Sequence, residues 1–132
     1  MWLVKTEPTA YAYADLAKAK RAVWDGVKNP VAMRNLRAMK EGERVFVYHT
    51  GEEKAVVGVA KVVRAAYPDP NASFPSQVVV DLEAVGPLSR PVTLAEIKAS
   101  KEFSDSPLVR QGRLSVVPLT AAQEKAIEAL AK

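Results

Sequence analysis

Three short segments of this chain hold the residue types that suit recognition chemistry. Trp24, Asp25, Gly26, Val27, Lys28 and Asn29 follow one another just ahead of Pro30. Lys5, Thr6, Glu7 and Pro8 come shortly after Trp2, and Tyr48, His49 and Thr50 stand together further along. A base splayed out of a nucleic-acid strand is held by aromatic faces and by a few donors and acceptors on its edge, while phosphates are met by Lys and Arg. The three segments contain those ingredients. Each residue also has a structural reading, since a tryptophan buries a large apolar area in a core and an asparagine before a proline suits a helix cap.

Catalysis finds less material. His49 is the single histidine, so any triad or ordinary acid–base scheme has to use it. No Gly-x-Ser-x-Gly surrounds a nucleophile, and the six glycines are scattered singly, which leaves no phosphate-cradling loop. A lone histidine at a strand end is more often a hydrogen-bonded structural residue than a catalyst. The chain has no cysteine, which excludes a disulfide scaffold, a thiol nucleophile and every cysteine-containing zinc site; one histidine excludes a multi-histidine metal centre. No catalytic residue, metal or cofactor is expected.

The 132 residues are enough for one domain with a core and too few for two. With 48% hydrophobic and 26% charged residues the composition is that of a globular protein. No apolar run approaches the roughly 20 residues of a membrane helix, and the first residues lack the apolar stretch of a signal peptide. A cytoplasmic protein with no membrane partner is expected, with a monomer as the favoured state. The formal charge is +4, and its distribution is uneven. Residues 1–40 hold eight Lys or Arg against three acids, whereas the remainder holds eleven against twelve. Positive potential therefore collects around the Trp24 segment, where Lys28, Arg34 and Arg37 are candidates for phosphate contact.

The elements that must position these groups are legible in the pattern. "MWLV" reads as a strand closed by the turn-like "KTEP", and "YADLAKAK" has the composition of a short helix. Asn29 and Pro30 open a helix with an apolar stripe of Ala32, Leu36 and Met39, flanked by Met33, and with Arg34 and Arg37 on its exposed side. "RVFVYHT" and the valine-rich stretch from Ala55 to about Ala66 form an antiparallel hairpin, with Gly58 marking a bulge or a close approach. "QVVVDLEA" is a strand with Val78, Val80, Leu82 and Ala84 on one face and Gln77, Asp81 and Glu83 on the other. Capping boxes at Thr93–Glu96 and Thr120–Gln123 start two further helices, the second facing inward through Ala126, Ile127 and Leu130, and "RLSVVPL" is a strand between them. At least five strands, mostly antiparallel and strongly curved, make an α+β domain with a small barrel-like sheet.

"WLVKTEP" (2–8), "WDGVKN" (24–29), "NLRAMKEGERVFVYHT" (35–50), "VVGVAKVVRAAYPDP" (56–70) and "RQGRLSVVPL" (110–119), in this order, resemble the EVE domain family. The resemblance covers nearly the whole chain as a single domain, 1–132. It implies a PUA-like fold, a curved antiparallel β-barrel with inserted helices related to the YTH and ASCH domains. It also implies nucleic-acid binding, in RNA or DNA, with modified cytosines such as 5-methylcytosine as proposed ligands of some members. Carried over residue by residue, Lys5, Thr6, Glu7, Pro8, Trp24, Asp25, Gly26, Val27, Asn29, Tyr48, His49 and Thr50 look like the walls of a base pocket. Thr6 stands where the family usually has Ser. Lys28 stands where Arg is common, which keeps the charge and loses bidentate geometry. Arg110, Arg113 and Ser115 of "RQGRLS" are further candidates, the arginines as phosphate contacts. After Asn29 the family often reads Tyr-Gln-Ala-Arg-Asn, and here Pro30, Val31, Ala32, Met33 and Arg34 occupy those places. Two alternatives to a binding module stand beside it: an ASCH-like nuclease using Lys5, Thr6 and His49, and a sensor of a free nucleoside or other small molecule.

Overall fold

The computed structural model describes residues 1–132. Its six strands form one sheet: β1 (Trp2–Thr6), β2 (Arg21–Trp24), β3 (Arg44–His49), β4 (Ala55–Pro68), β5 (Val78–Thr93) and β6 (Val116–Pro118), in the order β2-β5-β4-β3-β1-β6. Five helices surround it: α1 (Tyr13–Ala19), α2 (Pro30–Ala38), α3 (Leu94–Ala99), α4 (Pro107–Arg110) and α5 (Ala121–Leu130). The α+β class is as expected, and two details of the barrel differ. The sheet is mixed, because β1 runs parallel to β3, with Leu3 opposite Phe46 and Lys5 opposite Tyr48. It is also open, with β2 and β6 as its two edges.

Val45, Phe46, Val47, Tyr48 and His49 are all buried, since elements cover both faces of β3. The β3–β4 hairpin forms with a register shift between Val56 and Gly58. β5 extends well past the expected strand, through Pro87 and Pro91 to Thr93. Repeated register shifts against β4 admit the prolines, which cannot donate to a regular ladder. Its expected two-faced alternation does not hold: Gln77, Val79, Val80, Asp81 and Leu82 are all buried. Sequence patterning missed β2 altogether, because four edge residues carry too little alternation to stand out from the adjoining turn.

The helix signals translate directly. The Asn29 side chain accepts from the Val31 and Ala32 amides, and Pro30 occupies the first turn of α2. Ala32, Met33, Leu36 and Met39 are buried beneath that helix, while Arg34 and Arg37 face outward. Thr93 and Glu96 cap α3 reciprocally, as do Thr120 and Gln123 for α5. The Arg90 guanidinium beside Glu96, together with the Thr93 amide, holds that carboxyl at about 2.

Gly58 fixes how α1 meets the sheet. A Cβ there would lie 2.5 Å from the Tyr13 ring, so the ring rests on bare backbone. The Tyr13 hydroxyl donates to the Val59 carbonyl at 2.7 Å, and its amide donates to His49 Nε2 at 2.9 Å. Gly58→Ala is expected to lose about 1–3 kcal/mol by forcing an overpacked contact, checked by urea unfolding. An unchanged midpoint would show that Tyr13 moves aside at no cost.

Candidate functional site

The C-terminal ends of β1 and β2 open onto a cleft of about 520 Å³, within the range of small-molecule sites. One wall is Lys5 and Thr6 at the end of β1, with Ser115 beside them. The other is continuous chain from Ala22 through Val23, Trp24, Asp25 and Gly26 to Val27, and Ala10 and Tyr11 complete the rim. Trp24 is 7% exposed and belongs to the apolar core, so only a small part of its surface reaches the cleft. Tyr11 meets it nearly perpendicularly, with ring centroids 6.1 Å apart and planes at 81°. Burial, with Asp15 nearby, raises the pKa of Tyr11 and keeps its hydroxyl protonated.

Each polar group has a defined state. Thr6 Oγ1 donates to the Tyr11 carbonyl at 2.6 Å, which ties the two walls together and leaves the oxygen as an acceptor. Lys5 donates from its ammonium to the Gly112 carbonyl at 3.0 Å and stands 5.6 Å from the Tyr48 ring centroid. Burial pushes the Lys5 pKa down. Asp25 is exposed and has no hydrogen-bond or ion-pair partner within the fold, so its carboxylate is a free acceptor at the cleft. Gly26 takes φ +77°, the left-handed conformation that lets the chain turn from β2 toward Val27. Val23 leaves 50% of its surface exposed, an apolar patch facing the same space.

β2 is held by charge as well as by its ladder. Arg21 donates to Asp81 Oδ2 at 2.8 Å, Tyr67 donates to Asp81 Oδ1 at 2.5 Å, and the Arg64 guanidinium stacks 3.7 Å from the Tyr67 ring centroid. Burial alone would raise the Asp81 pKa. The hydrogen bonds from Tyr67 and Arg21 and the charges of Arg21 and Arg64 outweigh it and bring the carboxyl below its usual value.

The expected pocket residues divide. Lys5, Thr6, Trp24, Asp25, Gly26 and Val27 share the cleft, and Ser115, expected with the arginines of "RQGRLS" at the nucleic-acid backbone, lines it too. Tyr48 and Thr50 lie with Lys5 in an adjoining depression. His49 is not among the lining residues: it is buried, Nε2 accepts from Tyr13, and Nδ1 sits 2.6 Å from Glu53 Oε1. An accepting Nε2 places the ring proton on Nδ1, where it is donated to Glu53, so the imidazole is committed to the fold. Glu7 and Pro8 form the turn after β1. The Glu7 carboxylate accepts from the Thr9 amide and hydroxyl, which lowers its pKa. Asn29 caps α2.

The expected phosphate contacts are spread wider. Lys28, Arg34 and Arg113 are exposed without partners in the fold, Arg37 donates to the Ser76 carbonyl, and Arg110 bonds to the Ser104 carbonyl and Asp105. Met33 is 2% exposed, its sulfur accepting from the Val78 amide, so this departure from the family pattern lies in the core and off the cleft. Tyr11, Ala10, Ala22 and Val23 are cleft residues that sequence reasoning missed. The proximity of Tyr11 to the "KTEP" turn was the available signal.

A family model described as the EVE domain matches residues 1–130. The chain belongs to the EVE domain family. The protein Rpa0253 from Rhodopseudomonas palustris is 40% identical, with a TM-score of 0.91 over 98% of this chain and 91% of its own. Thymocyte nuclear protein 1 of Homo sapiens is 33% identical over 90% of this chain and 68% of its own length. The human protein has been solved in complex with DNA containing 5-methylcytosine, and that structure superposes with a TM-score of 0.86 over 99% of this chain and 96% of its own. A more distant likeness, at 16% identity and a TM-score of 0.63 over 98% of this chain and 94% of the other, is to ASCH from Zymomonas mobilis and is one of fold. No helix of this EVE domain is long and apolar enough to cross a membrane.

The lowered pKa of Asp81 fixes the sign of an acid effect. Its stabilising contribution is complete above the ordinary aspartate value of about 3.9 and is lost as pH falls through the lower folded value. Asp81→Asn is therefore expected to reduce stability near neutral pH and to flatten the acid limb of a stability-versus-pH curve. Parallel curves for the two proteins would mean that Asp81 is not a source of that limb.

Proposed function

We propose that this domain binds nucleic acid by receiving a single modified cytosine base in the cleft between β1 and β2. The observation that carries the reading is the convergence, in one cleft, of an aromatic corner, a free acceptor and a desolvated donor. Cytosine presents an amino group at N4 as donor, and a carboxylate is its natural partner. Asp25 supplies that acceptor without giving up any bond of the fold. Lys5 keeps donor capacity beyond its bond to Gly112 and suits the acceptor side of the same base.

A 5-methyl group adds apolar surface to the ring edge, and Ala22 and Val23 offer apolar surface in the same cleft. Burying one such carbon group contributes about 0.8 kcal/mol, enough for a preference of a few-fold. Tyr11 and the exposed part of Trp24 close around the ring. The likeness to the human protein solved with 5-methylcytosine DNA supports the same assignment. Phosphate attraction by the basic segment from residue 1 to 40 supplies the part of the affinity that does not read sequence.

Binding of short oligonucleotides bearing 5-methylcytosine, cytosine or thymine at one position tests the reading. Thymine differs from 5-methylcytosine at the ring edge by a C4 carbonyl in place of the amino donor and by a proton on N3. Wild type is expected to prefer 5-methylcytosine over both others. Asp25→Ala is expected to lose the discrimination against thymine, roughly 1–3 kcal/mol, while retaining its fold. Equal affinity for all three oligonucleotides overturns the proposal.

A further inference from the structure

Beside the base cleft lies a second depression of about 210 Å³, and the two share Lys5. Its other charged lining residues are Lys54 and Lys98, and no carboxylate is among them. None of the three ammonium groups forms an ion pair in the fold. The nearby acids are hydrogen-bonded within the fold, Glu7 accepting from Thr9 and, at 3.5 Å, from the Thr50 hydroxyl, and Glu53 from His49.

The walls come from four places in the chain. Lys5 ends β1, and Tyr48 and Thr50 close β3 opposite it. Lys54 sits in the following turn at φ +45°, where its backbone is constrained to the left-handed region, and its carbonyl accepts from the Leu94 amide at the start of α3, the helix that carries Lys98. Gly112 adds unobstructed backbone. A concave surface lined by three unpaired cations attracts an anion, and the one carboxylate beside it, that of Glu7 against Thr50 and Gly51, leaves the cations in excess. The Lys5 ammonium donates one N–H to the Gly112 carbonyl and has two further N–H groups. Its lowered pKa has partial desolvation as its cause.

We propose that this lysine depression seats a backbone phosphodiester of the nucleotide whose base enters the neighbouring cleft. The inference rests on the base-binding reading and extends it by giving the polymer a direction: from the cleft, past Lys5, toward Lys54 and Lys98. The polymer is held by base and phosphate on either side of one residue, which explains why Lys5 borders both spaces.

The test compares wild type with the double variant Lys54→Asn, Lys98→Gln, chosen because asparagine tolerates the left-handed backbone at 54 and glutamine suits a helix at 98. Three probes are titrated: a short single-stranded DNA containing 5-methylcytosine, the free nucleoside 5-methyldeoxycytidine, and inorganic phosphate at constant ionic strength. The double variant is expected to bind the oligonucleotide on the order of tenfold more weakly. Its slope of log affinity against log salt should be shallower by about 0.7, the value for one neutralised phosphate on a single strand. Its nucleoside affinity and melting temperature should match wild type. An unchanged oligonucleotide affinity and salt slope overturns the phosphate seat, whatever the base preference. So does an equal loss for nucleoside and oligonucleotide, or tight phosphate binding that the oligonucleotide does not displace. Equal binding of oligonucleotides bearing 5-methylcytosine, cytosine or thymine, with a shallower salt slope in the double variant, overturns the base reading and leaves a phosphate seat that is not tied to a base. Failure of wild type to bind any oligonucleotide overturns both.

Discussion

A methyl group at position 58 would collide with the Tyr13 ring, and its absence is what lets the segment after β1 lie down on the hairpin. Tyr13 then makes two bonds of different reach, its hydroxyl to Val59 and its amide to His49. Close approach to backbone and satisfaction of buried polar groups are achieved together, and either alone would leave the other costly. Everything at the rim hangs from this docking. Tyr11, two residues earlier, is delivered to face Trp24, and Thr6 is close enough to bond its carbonyl. The single histidine is thereby spent on architecture.

The opposite wall depends on a short strand that would be weak alone. β2 has four residues and one free edge, and its ladder with β5 is reinforced by the Arg21–Asp81–Tyr67 cluster, with Arg64 stacked outside. Trp24 anchors its far end in the core. The tryptophan is thus a packing residue whose small exposed part is also site surface, and the two descriptions do not compete. A rigid, mostly buried aromatic loses no rotamer freedom when a ligand arrives, which favours recognition.

Local chemistry was what the sequence stated most plainly. Asn29 with Pro30, Thr93 with Glu96 and Thr120 with Gln123 name their helices because a cap satisfies free amides within a few residues. The parallel pairing of β1 with β3 carried no such local mark, and neither did the four-residue edge strand β2. Gly58 announced a close approach without naming Tyr13 as its occupant. Within the site, Lys5, Thr6 and the Trp24–Val27 run were legible as types and motif, Tyr11 and Val23 stood close to those motifs without carrying a signal of their own type, and Lys54 and Lys98 are joined to it only by tertiary placement. His49 was equally visible and equally ambiguous. Its burial and its two engaged nitrogens decide the role, and no spacing in the sequence encodes either.

The position of β1 in the sheet has a kinetic side. It lies between β3 and β6, so it pairs with one strand from the middle of the chain and one from near its end. Closing both loops costs chain entropy before the contacts repay it, and parallel pairing makes the first of them slower still. The cleft wall bearing Lys5 and Thr6 therefore becomes firm late in folding, after the β3–β4 hairpin that can form locally. A chain with the hairpin made and β1 still loose lacks Leu3 and Val4 from its core and Lys5 and Thr6 from the cleft, so one pairing event completes core and cleft together.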